Sequence, residues 1–182
     1  MKLPSKTIQS KAKRIKVLLM DVDGVLTDGK IQLVSMPDGT AQEMKSFHSH
    51  DGAGLKLAII AGLKTGIITG RVSHAVTRRA GELGMEFVYQ NRPEKLPAYE
   101  EILQRAGVRD AEVAYVGDDL PDLPLLRRAG LAIAVANAAP EAKKAAHYVT
   151  RACGGEGAAR EVVELILKAQ GKWAKSIAAA KA

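Results

Sequence analysis

Along this chain, short uninterrupted apolar runs alternate with longer amphipathic stretches. The runs at 16–20, 64–69, 85–89, 113–117, 131–135 and 147–149 have the length and composition of strands. The stretches at 52–61, 73–83, 94–106, 121–129, 140–145 and 156–169 read as helices. Gly62, Gly84, Gly107 and Gly130 stand where helices stop. This βαβα rhythm predicts an α/β fold, a three-layer doubly wound parallel sheet with helices on both faces. Neither an internal repeat nor a low-complexity linker divides the chain, so one domain over 1–182 is expected. The Ala/Lys-rich end, about 171–182, reads as a frayed helix or a tail.

One segment breaks the rhythm. KIQLVSMPDGTAQEMKSF at 30–47 carries the turn signal Pro37-Asp38-Gly39 between two extended pieces, which predicts a β-hairpin. It follows directly on an acidic motif and is expected to act as a flap beside a site. The alternative is a decorative surface hairpin.

Composition narrows the function. A chain of 182 residues with 47% hydrophobic and 26% charged residues suits a globular domain. Aromatics are only 4%, so the core is expected to be built from Ala, Val, Leu and Ile. Cys153, the single cysteine, excludes an intramolecular disulfide framework and fits a reducing compartment; it reads as inert. No run is long and apolar enough to cross a membrane, and VLLM before Asp21 is too short for a signal peptide, so a cytoplasmic location is expected. The net charge of +7 favours small anionic partners, although much of it lies at the two ends. With few aromatic side chains for stacking and no nucleic-acid motif, a nucleic-acid partner is not expected.

The chemistry is concentrated at strand ends. VLLMDVDGVLTDG at 17–29 drives an apolar strand into Asp21 and Asp23. Side chains two apart on an extended chain project to the same side, where two carboxylates repel unless a cation joins them. Mg²⁺, which prefers oxygen ligands, is a natural candidate; a strand-ending turn is the alternative. GDDLPD at 117–122 ends a second apolar strand in clustered acids, where Asp118 or Asp119 could instead cap the next helix. If these two strands are neighbours at the switch point of the sheet, Asp21, Asp23 and Asp118 converge on one cation. IITGR at 67–71 closes a third strand with the hydroxyl of Thr69, the flexible Gly70 and the cation Arg71, a set suited to phosphate oxygens. Lys95 opens the helix after the strand at 85–89, where it could balance a phosphorylated carboxylate.

Other ligand motifs fit poorly. An EF-hand loop would need oxygen donors and a glycine where Val25 and Leu26 stand. GxxxxGK[ST] is absent, and DGAG at 51–54 is only a partial echo of GxGxxG. His48 and His50 lack the companions of a zinc site and read as a polar edge of the flap.

DVDGVLTDG, IITGR, Lys95 and GDDLPD, in this order and at strand ends, resemble the four motifs of the haloacid dehalogenase superfamily of phosphohydrolases. Over residues 14–172 the resemblance extends, through FHSHDGAGLKL, YVTRACGGEGAAREV and LKAQGKW, to the superfamily's octulosonate 8-phosphate phosphatases, a sugar-acid group that also includes sialic-acid-type 9-phosphate enzymes. The resemblance implies lipopolysaccharide sugar synthesis as the setting. It implies Asp21 as nucleophile, Asp23 as acid and base, and Mg²⁺ on the carboxylates of Asp21 and Asp118 and the carbonyl of Asp23. Thr69, Gly70 and Lys95 would hold the phosphoryl group, with Asp119 and Asp122 in support. Asp23 must hold a proton at the outset, which neighbouring acids and partial burial would favour.

The inserts are too short for the cap domain many relatives carry, so a capless chain is expected. The resemblance implies a homotetramer in which a neighbour's hairpin or tail covers the site, with 30–47 building the assembly and 154–160 lying near an active site. His50, Asp51 and Arg71 are the substrate candidates. One departure is His50, where these enzymes carry an arginine able to grip a sugar carboxylate in two places. Other readings are a phosphatase for another small phosphate, such as an aryl phosphate, a non-catalytic subunit on the same fold, or a phospho-acceptor domain, whose acceptor aspartate lies on a later strand.

Overall fold

A computed structural model describes residues 5–180. Its centre is β1 (Val17–Met20), buried along its whole length, as expected of a strand covered on both faces. On one side β1 pairs in parallel with β4 (Lys64–Ile68), and β4 with β5 (Phe87–Tyr89). On the other it pairs in parallel with β6 (Val113–Gly117), followed by β7 (Leu131–Ala134) and β8 (Tyr148–Val149). The order β5-β4-β1-β6-β7-β8 reverses its direction of growth at β1, which makes the β1 end the switch point. The registers Met20↔Ile67 and Met20↔Val116 bring the ends of β4, β1 and β6 to one level.

Helices cover both faces. On one, α2 (Ser49–Ile60) packs against α7 (Ala158–Ala169), which also meets α1 (Lys6–Lys13), while α3 (His74–Leu83) lies beside α2. On the other, α5 (Leu123–Arg128) packs between α4 (Leu96–Ala106) and α6 (Pro140–Ala145). One continuous core of Val, Leu, Ile and Ala joins the layers, with Tyr99, Tyr115 and Phe87 as its largest fully buried side chains.

The expected elements are present with shifted ends. The helix expected from 52 starts at Ser49, where His48 Nδ1 caps it by accepting from the His50 N–H at 3.1 Å. The one expected over 121–129 splits into a 3₁₀ turn at Leu120–Asp122 followed by α5, because prolines at 121 and 124 each remove a backbone donor. The basic N-terminal segment forms α1, capped by Ser5 and seated through the buried Ala12. The residues after Gly171 form α8 (Trp173–Ala179), which packs on α2 and α7 and buries Ser176. Trp173 there lies against the Arg160 guanidinium and the Lys168 ammonium, 4.9 and 5.3 Å from its ring centre.

The hairpin is present as β2 (Gln32–Ser35) and β3 (Ala41–Met44), an antiparallel pair that joins no other strand. Gly39 takes the positive φ of +83° that its turn requires. No cap domain interrupts the chain among the described residues.

Candidate active site

The motif after β1 folds as a tight loop around one carbonyl. Val22 O accepts from the N–H groups of Val25, Leu26 and Thr27. The buried Thr27 hydroxyl accepts from Gly24 N and Gly29 N at 3.4 and 3.2 Å, stapling the turn from within. Gly24 has φ +89°, and a side chain there would run into the Asp118 carboxylate. The loop at 154–155 closes over this turn: Gly155 N donates to Val25 O at 2.9 Å, and a Cβ on Gly154 would strike the Gly24 carbonyl. Of the segment 154–160, expected near an active site, residues 154 and 155 thus pack on the chain's own aspartate loop.

Asp21 follows β1 and is held on both oxygens. Oδ1 accepts from Val22 N at 2.7 Å, and Oδ2 lies 2.9 Å from Lys95 Nζ. Lys95 is buried at the start of α4, and its ammonium also lies 2.7 Å from Asp122 Oδ1. Asp122, wholly buried, has both oxygens engaged. Oδ1 accepts from Lys95 and from the Tyr115 hydroxyl at 2.6 Å, while Oδ2 accepts from the N–H groups of Asp118 and Asp119 at 2.8 and 3.3 Å.

Acidic oxygens of Asp21, Asp118 and Asp122 lie within 4.8 Å of one another. Asp122 carries two partners on each oxygen against one on each for Asp21, which leaves Asp21 and Asp118 as the side chains able to take a cation. Burial, then the charges of Asp122 and Asp21, push Asp118 up to about 8. Burial also lifts Asp21, to about 6, against the pull of Lys95. Burial alone would lower Lys95, but Asp21 and Asp122 hold it above its usual range. Two crowded carboxylates made reluctant to ionise together are a donor set that a hard divalent cation relieves, and they fit Mg²⁺.

Asp23 has different company. Its Oδ1 accepts from Lys45 Nζ, and Arg71 Nε lies 3.8 Å from its Oδ2. Its partners here are these two cations, drawn from the hairpin and from the β4 end. Arg71 also donates to Glu43 Oε1 at 2.6 Å. Glu43 and Lys45 escaped sequence reasoning; the available signal was their spacing of two at the end of a hairpin strand. Thr69 is buried at the β4 end, and its hydroxyl accepts from Arg71 N at 3.4 Å. Gly70 beside it is open to solvent.

The remaining substrate candidates lie in the first turn of α2. His50 is exposed, its ring 4.9 Å from that of His48. Asp51 is buried, and its carboxylate accepts from Gly157 N and Arg160 N at 3.2 and 2.8 Å. It serves as a cap for α7, whose own N-cap residue, Gly157, has no side chain to do so. Asp119 stands at the N-cap position of the 3₁₀ turn, with its N–H bound to Asp122.

The family model described as haloacid dehalogenase-like hydrolase matches residues 82–161. The 3-deoxy-D-manno-octulosonate 8-phosphate phosphatase KdsC of Escherichia coli strain B is 42% identical over 168 residues, 92% of this chain and 87% of that protein. The chain belongs to the haloacid dehalogenase-like hydrolase family. Among solved structures of this family, a probable YrbI family phosphatase from Pseudomonas syringae superposes with a TM-score of 0.90 at 47% identity, covering 98% of this chain and 99% of that one. The 3-deoxy-D-manno-octulosonate 8-phosphate phosphatase of Moraxella catarrhalis, solved with magnesium, phosphate and a KDO molecule, gives 0.89 at 43% identity over 97% and 99% of the two chains.

Proposed function

We propose that the protein is a Mg²⁺-dependent phosphomonoesterase that hydrolyses 3-deoxy-D-manno-octulosonate 8-phosphate to the sugar acid and phosphate. The observation that carries this reading is the meeting of Asp21 and Asp118 at the ends of paired strands, beside a buried Lys95.

In this reading an Asp21 carboxylate oxygen forms a bond to phosphorus as the bond from phosphorus to the sugar oxygen breaks. Asp23 gives its proton to that departing oxygen. Water then attacks the aspartyl phosphate, giving a proton back to Asp23, and the phosphorus–Asp21 bond breaks to release phosphate. Mg²⁺, held by Asp21, Asp118 and the Asp23 carbonyl, would offset the charge of the incoming phosphate. Lys95 keeps a positive charge against Asp21 throughout, and the Thr69 hydroxyl and the open backbone at Gly70 receive phosphate oxygens.

A homotetramer completes the proposal. Ile31, Leu33, Val34 and Met44 on the hairpin are exposed in the isolated chain, Leu33 by 64%, and a neighbouring subunit would cover them. A cytoplasmic setting is consistent with one free cysteine and with the lack of any helix long and apolar enough to cross a membrane among the described residues.

His50, in place of an arginine, favours a second reading in which the same chemistry serves another small sugar phosphate. Phosphate release across octulosonate 8-phosphate, sialic-acid-type 9-phosphates and aryl phosphates, with and without Mg²⁺, tests both. Octulosonate 8-phosphate is expected to be the best substrate, and Asp21→Asn to abolish turnover of all. Turnover surviving in Asp21→Asn removes the nucleophile from the scheme.

A further inference from the structure

Asp21 and Asp23 each have a lysine of their own whose side chain is withdrawn from solvent. Lys95 serves Asp21, and Lys45, whose side chain is 3% exposed, lies on Asp23. Lys45 follows β3 directly, in a hairpin whose strand residues are exposed apart from the half-buried Glu43. Glu43 and Lys45, two apart, share the face turned toward the body.

An ammonium withdrawn from water needs paired charge. Lys45 finds it in Asp23 Oδ1 and, at 3.4 Å, in Glu43 Oε1. Glu43 Oε1 also accepts from Arg71 Nη2 at 2.6 Å, and Arg71 Nε lies 3.8 Å from Asp23 Oδ2. The four side chains close a ring of alternating charge drawn from the aspartate loop, the hairpin and the β4 end. The carboxylate of Asp23 is gripped at one oxygen by the better-buried cation, while its other oxygen faces Arg71, which is 46% exposed.

We infer that Lys45 is a positioning residue for the reaction: it fixes the rotamer of Asp23, so that seating the hairpin and aiming the acid toward the leaving oxygen are one event. The inference rests on the reading of Asp23 as acid and base. Proton delivery matters most where the leaving group is poor. An alkyl oxygen must be protonated as its bond to phosphorus breaks, whereas a nitrophenolate departs without help.

The test measures kcat across substituted phenyl phosphates, from 4-nitrophenyl to phenyl, and on the sugar-acid phosphate, with Mg²⁺ present. Lys45→Met is expected to lower kcat by about 100-fold for the sugar phosphate and by about fivefold for the 4-nitrophenyl ester, steepening the dependence on the leaving group. Lys45→Arg is expected to recover much of the loss. Glu43→Gln, which keeps Lys45, gives a shallower version of the same slope and serves if Lys45→Met fails to fold. Asp23→Asn in the same series separates the two levels. If Asp23→Asn steepens the slope while the Lys45 and Glu43 variants fall equally on all esters, or not at all, the positioning role is overturned. If Asp23→Asn leaves the slope unchanged, the reading of Asp23 is overturned and this inference with it.

Discussion

Lys95 Nζ and Asp122 Oδ1 lie 2.7 Å apart, where almost no solvent reaches either side chain. The pair joins the start of α4 to the turn after β6, and through Lys95 it reaches Asp21. Asp122 also gathers the Tyr115 hydroxyl and two backbone N–H groups, so one carboxylate sets both the charge beside the nucleophile and the shape of the loop presenting Asp118.

Asp122→Asn is therefore expected to destabilise the protein as well as slow it. The amide presents hydrogens toward groups that already donate, and Lys95 is left with half its neutralising charge. Breaking a buried pair from one side costs about 3 kcal/mol. In a chain of this size that is a fall in melting temperature of roughly 6–12 °C. Thermal unfolding followed by circular dichroism checks it, and an unchanged Tm would show that Asp122 is dispensable to the fold.

Asp51 offers a second stability test. Burial raises its pKa, and the α7 N–H groups that its carboxylate accepts from oppose the shift. Asp51→Ala removes the acceptor for Gly157 N and Arg160 N and is expected to cost about 1–2 kcal/mol, the range for a lost helix cap. Asp51→Asn keeps an acceptor and should lose less. Hydrogen exchange at the amides of residues 157 and 160 is expected to quicken in Asp51→Ala, together with exchange in the adjoining loop at 154–155 that lies over Gly24.

The hairpin tests the assembly. Leu33→Lys combined with Met44→Lys puts charge on side chains that are exposed in the single chain, so the subunit itself is expected to keep its stability. Sedimentation velocity should give a tetramer for the unaltered protein and smaller species for the double variant. A monomer in both would remove the hairpin from any assembly.

The strands were legible because apolar runs such as VLLM and VAYV are long enough to bury on both faces and end in residues that strands do not favour. The convergence of Asp21 and Asp118 was legible only on the condition that these two strands are neighbours, and parallel pairing of β1 with β6 leaves their ends side by side. Asp122 was legible only as an aid to the metal or to Lys95. Its four hydrogen bonds depend on the 3₁₀ turn made by the prolines at 121 and 124, which folds the carboxylate back under its own loop. Lys45 and Glu43 left only their spacing of two, because a lysine and a glutamate on a hairpin strand read as solvated charges, and their burial is decided by where the hairpin lies over the body. Asp51 was a substrate candidate in the sequence; what the sequence did not show is that its carboxylate takes the Gly157 and Arg160 N–H groups at the start of α7.

Magnesium binding should be linked to protons in a direction the site fixes. In the metal-free protein Asp118 is pushed up to about 8 and Asp21 to about 6, from an ordinary value of 3.8. Between about pH 4 and 8 the folded protein therefore holds more protons at these groups than the unfolded chain, and their contribution to stability falls as pH rises through that window. Mg²⁺ competes for the same oxygens. At pH 7 its binding is expected to expel about one proton, chiefly from Asp118, and its affinity should climb with pH and level off above about 8. Calorimetry in two buffers of different ionisation heat counts the protons directly. The rise in Tm on adding Mg²⁺ should likewise be larger at pH 8 than at pH 5, because the ion then relieves carboxylates that are already charged. Asp118→Asn is expected to remove both the proton release and the pH dependence of this gain. If proton release in that variant matched the unaltered protein, the cation would have to lie elsewhere than between the ends of β1 and β6.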